Sequence, residues 1–94
     1  MTQHYLCGEL ASRLALLERT ARDETAAREV RALRCEAEMA APRKLRGIAR
    51  RALKLADTLC WDALEQGRMA TFTEQAALAA DLHEFAVVAH LLDD

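Results

Sequence analysis

Arg43, Arg46, Arg50 and Lys54 follow one another at intervals of three, four and four residues. They lie in the stretch APRKLRGIARRALK, which holds six cations and no acid. On a helix that spacing gathers all four on one side, as a surface for something negatively charged. Trp61 comes seven residues after Lys54 and eleven after Arg50, so it shares that side. An indole beside guanidinium and ammonium groups is the usual make-up of a protein-binding hot spot. Arg43, Arg46, Arg50, Lys54 and Trp61 are therefore the candidate partner-binding residues. The cations also break a local rule. Arg43, Lys44 and Arg46 fall in the first turns of their helix, where the macrodipole is positive and each costs roughly 0.3–1 kcal/mol. Broken local rules are expected at functional positions.

Three occupants compete for this block. The first is intramolecular: the carbonyls ending the preceding helix, Glu36, Glu38, or the acidic last helix. The second is an acidic protein partner. The third is nucleic acid, since cations and free amides at a helix N-terminus attract phosphate. Against nucleic acid stand the formal charge of −2 and the lack of aromatic residues interleaved with the cations.

Other chemistry is thinly represented. No phosphate-binding loop, nucleophile elbow or HExxH pattern occurs. His4 and Cys7 are three apart and are two metal ligands at most, too few for a site. His83 and His90 are seven apart and would share a helix face, too distant for one ion. The reading is of no enzyme, no metal and no cofactor. Cys7, Cys35 and Cys60 are odd in number and widely spaced, which points to reduced thiols and a cytoplasmic setting. No apolar run is long enough to span a membrane. Eleven Arg to two Lys, with no Asn, suggests a GC-rich bacterial coding bias.

The elements that must position these residues are helices. Apolar residues make up 52% of the 94, but 20 are alanine and 15 leucine, and β-branched residues are scarce. Leu6, Leu10, Leu14, Leu17 and Ala21 mark one helical face, and Ala26, Val30, Leu33, Ala37 and Ala40 a second. Either the chain breaks near Thr20–Thr25, which the capping residues there favour, or one long helix changes its packing partner at that point. Pro42 opens a third helix and Gly67 closes it. A fourth starts at Thr71 or Thr73, each with capping-box character.

The expected spans are 4–20, 24–40, 42–66 and 72–92, within a single domain. The fold class is all-α, a small bundle of three to four helices. The last helix is apolar nearly all round. Leu78, Leu82, Phe85, Val87 and Leu91 are therefore assigned to self-association, as a homodimer or larger assembly. Residues 42–68 carry seven bases and three acids, while residues 69–94 carry five acids and no base. The expected role is that of a non-catalytic helical interaction module, an adaptor, chaperone-like or regulatory subunit. A helical nucleic-acid-binding regulator using residues 43–54 is the alternative.

Overall fold

A computed structural model describes the backbone of residues 2–92 and the side chains of residues 5–92. The four helices are α1 (Thr2–Thr20), α2 (Glu24–Met39), α3 (Leu45–Glu65) and α4 (Met69–Val88). A 3-10 turn, Pro42–Lys44, leads into α3. Connections are short, so each helix folds back along the one before it. Cross-links show the antiparallel order. Glu18 of α1 meets Arg31 and Arg34 of α2, Glu36 of α2 meets Arg51 of α3, and Asp81 of α4 meets Arg13 of α1. The result is an up-down-up-down bundle closed by contact between α4 and α1, with extents of 42 × 24 × 17 Å.

The break between the first two helices is chemical. Asp23 caps α2 by accepting the amide of Ala26 at 3.1 Å. The third helix ends as its glycine requires. Gly67 takes a left-handed φ of 73°, its amide reaches the Leu64 carbonyl, and the Arg68 amide reaches Ala63. That is a Schellman closure. The last helix closes the same way without a glycine. His90, at φ 60°, donates to Val87, and Leu91 donates to Ala86 at 2.8 Å. This turn folds Leu91 back into the core.

Two sequence expectations need correction at α4. It begins at Met69, directly out of the Gly67 turn, and not at Thr71 or Thr73. Thr71 faces the core, and the Thr73 hydroxyl donates backward to the Met69 carbonyl at 2.9 Å instead of capping. The helix also stops at Val88, and the left-handed His90 takes that residue off any face it would share with His83.

The core is built from the expected stripes. Leu10, Leu14 and Leu17 of α1 meet Val30, Leu33 and Ala37 of α2. Leu45, Ile48, Ala49, Ala52, Ala56, Leu59 and Ala63 line α3. From α4 come Leu82 and Ala86, with Leu78, Phe85 and Ala89 partly covered. Leu82 and Leu91 are thus enclosed by the chain's own core. Of the five residues assigned to self-association, Val87 is the exposed one, at 50%, beside Val88 at 71%. No helix among the described residues is long and apolar enough to cross a membrane.

Ion pairs fasten the helices outside the core. Glu18 receives Arg31 Nε at 2.9 Å and Arg34 Nε at 3.1 Å. The hydrogen bond from Arg31 holds the Glu18 carboxyl below its usual range, with Arg34 adding to the effect. On the opposite flank Arg13 bridges Glu9 at 2.6 Å and Asp81 at 3.0 Å, with its guanidinium carbon 4.4 Å from the Phe85 ring centroid.

Three outcomes follow from this architecture. Leu82→Asp places a charge among apolar side chains and should destabilise the single chain by about 3 kcal/mol or more. Circular dichroism should then show loss of helix at any protein concentration. His90→Gly removes left-handed strain of roughly 1–2 kcal/mol at some cost in unfolded-state entropy. It should raise denaturant-measured stability by about 0.5–1 kcal/mol. Glu18→Gln should cost on the order of 1 kcal/mol at neutral pH. The Glu18 carboxyl has a depressed folded pKa, so its contribution is present above the ordinary carboxylate pKa and disappears as pH falls through the folded value. Denaturation curves of the two proteins should therefore converge in acid.

Candidate functional site

α3 is amphipathic. Its buried side runs along Leu45, Ile48, Ala49, Ala52, Ala56, Leu59, Cys60 and Ala63, which forces the residues between them outward. Arg46, Arg50, Lys54 and Trp61 all lie exposed. Their numbering keeps them within about a quarter turn of one another, over about 22 Å of axis. Arg43, also exposed, stands one step earlier in the 3-10 turn. The structure thus places the five sequence-predicted residues on the surface, four of them along one strip of α3.

Trp61 is 58% exposed. Neither the N-terminal residues from Tyr5 onward nor another helix covers it enough to make it a core residue. A tryptophan left this open forgoes much of the burial its large ring could supply.

The strip is flanked by grooves on both sides. One, of about 540 Å³, runs between α2 and α3 and is lined by Leu33, Glu36, Arg51, Lys54, Leu55 and Thr58 among others. The other, of about 440 Å³, lies between α3 and α4 and is lined by Leu53, Lys54, Asp57, Ala79, Ala80 and His83. Lys54 borders both, as the ridge between them.

Part of the basic block is spent inside the chain. Arg51 grips Glu36 with both terminal nitrogens, at 2.6 and 3.2 Å. This bidentate bond, helped by the charges of Arg51 and Lys44, holds the Glu36 carboxyl below its usual range. Glu36 is therefore an intramolecular partner of the block, as the composition allowed. Two further acids make pairs with other cations. Glu38 takes Arg34 of its own helix at 3.2 Å, and Asp81 of the acidic last helix takes Arg13 of α1.

The thiols are separated. Cys7 donates to the Ala40 carbonyl at 3.6 Å, Cys60 is buried in α3, and Cys35 is exposed on α2. Burial, with Asp57 nearby, pushes the Cys60 thiol up from its ordinary value, which disfavours a nucleophilic thiolate there. The side chain of His4 lies outside the described residues. Among those described, no three His, Cys, Asp or Glu side chains are grouped as a metal site would need.

A second polar locus escaped the sequence reading. Thr20, Thr71 and Gln75 are buried where α1 and α4 meet at the Gly67 end of the bundle. The apolar stripe Leu78, Leu82, Phe85 continued backward by three and then four residues lands on Gln75 and Thr71. That periodicity was the available signal for two polar residues inside the core.

No protein-family model matches the chain, and neither a curated protein nor a solved structure shows significant similarity to it.

Proposed function

We propose that the chain is a non-catalytic helical interaction module that recognises an acidic protein surface with the outer face of α3. The observation that carries this reading is the exposure of Trp61 on the same strip as Arg50 and Lys54. The indole supplies a flat anchor for a partner to desolvate, and the cations steer an acidic surface toward it. The grooves on either side of Lys54 offer space for the partner's flanking side chains. The separated, free thiols suit a reducing, cytoplasmic setting. Self-association through α4 would draw on Val87 and Val88, because Leu82 and Leu91 already serve the single chain.

Trp61 is the only tryptophan, so its fluorescence reports on this face alone. The isolated protein should emit near solvated indole and be readily quenched by iodide. Titration with a glutamate-rich helical peptide should shift the emission to the blue. Trp61→Ala should weaken that binding by about 2 kcal/mol or more, with an unchanged thermal midpoint. Blue emission from the isolated protein, together with unfolding of Trp61→Ala, would make Trp61 a core residue and remove the proposal. Steeply salt-dependent binding of duplex DNA, with none of the peptide, would favour nucleic acid instead.

A further inference from the structure

The face of α3 that carries Trp61 changes sign along its length. Turning by about 100° per residue, Arg46, Arg50, Lys54, Asp57, Trp61 and Glu65 all fall within roughly 100° of arc. Each of them is exposed. The first half of this strip is cationic. The second half is acidic, with the indole between Asp57 and Glu65. Leu64, 37% exposed, adds apolar surface beside Trp61. An acidic surface that meets the whole strip must therefore carry cations of its own where it meets Asp57 and Glu65.

The strip itself has that pattern. Laid antiparallel on a second copy, the basic half of each α3 meets the acidic half of the other. In the register centred between Leu55 and Ala56, Arg46 faces Glu65, Arg50 faces Trp61 and Lys54 faces Asp57. A two-fold axis relates the copies, so each contact occurs twice. Arg50 against the indole is a cation–π pairing. The same register sets Leu64 opposite Gly47, where nothing among the described residues lies within 4 Å of where a Cβ would stand. A leucine can approach the backbone closely there. A parallel arrangement would instead set the cations against their own copies, like charge on like. We propose that the acidic partner of this face is a second copy of the chain, bound antiparallel through α3. This rests on the reading of that face as an interaction surface, and names what it binds. The contact uses neither Val87 nor Val88 of α4. One helix strip is smaller than a standard protein interface, so the dimer is weak and forms as concentration rises.

The test is sedimentation of the full chain from low micromolar to millimolar concentration, with Trp61 emission followed in parallel. A dimer should form across that range, and the emission should move to the blue with it. Lys54→Glu sets acid against Asp57 of the second copy, and Asp57→Lys sets cation against Lys54. Both positions are exposed, and circular dichroism checks that each variant is folded. Each variant alone should dimerise at least tenfold more weakly. Mixed in equal amounts, the two restore opposite charges at both contacts and should form a heterodimer at least as tight as the wild-type dimer. A merely structural role for either side chain would not give rescue on mixing. The proposal is overturned if the wild type stays monomeric at millimolar concentration. It is equally overturned if either folded variant dimerises like the wild type, or if mixing restores nothing. A monomeric wild type whose Trp61 still shifts to the blue with the glutamate-rich peptide removes the dimer and leaves the acidic-partner reading standing. A monomer that also ignores the peptide removes both.

Discussion

Close approach of helices through alanine is the constraint on which this structure depends. Ala49, Ala52, Ala56 and Ala63 occupy the inner side of α3, Ala37 that of α2 and Ala86 that of α4, all buried. Each contributes little apolar area, so the helices must come near enough for leucines on one to fill the space left by alanines on another. The bundle measures only 17 Å in its thinnest direction. Larger side chains at these positions would push the helices apart and open the ion pairs that bridge them.

That thin core explains why the polar fastenings matter. Arg13 gathers Glu9, Asp81 and the face of Phe85, tying the first helix to the last. Glu18 ties the first hairpin and Glu36 the second joint. Individually such exposed pairs contribute little. Here they sit at each seam of a bundle whose apolar layer is shallow. Asp81 of the last helix thus finds its partner in α1, and Arg51 of α3 finds its own in α2.

The helical class, the break before Asp23, the Gly67 stop and the inner face of α3 were all legible in the sequence. Each is set by local spacing or by a single capping residue. The placement of Trp61 outside the core was also legible, because it falls between positions that the apolar stripe claims. What was not legible depends on contacts between distant residues. Leu82 and Leu91 read as surplus apolar surface until α1 is seen against α4 and the His90 turn brings the chain end inward. Thr71 looked like a cap because its sequence neighbours resemble one, yet the Gly67 turn starts the helix three residues sooner, at Met69. Gln75 was hidden by its polarity, since a glutamine on a stripe reads as an interruption and not as the donor of a hydrogen bond to a residue 55 positions away.

The short connections between the helices also bear on how the chain reaches this state. α1 with α2, and α3 with α4, are hairpins whose contacts close small loops, so little entropy stands in the way of forming either. Such topologies belong with the helical bundles that fold within microseconds to milliseconds. The contact between Thr20 and Gln75 belongs to the other kind, since it joins two hairpins that must already exist. On that ordering the seam between α1 and α4 closes after the hairpins, and it is the seam that opens first when the native state begins to come apart.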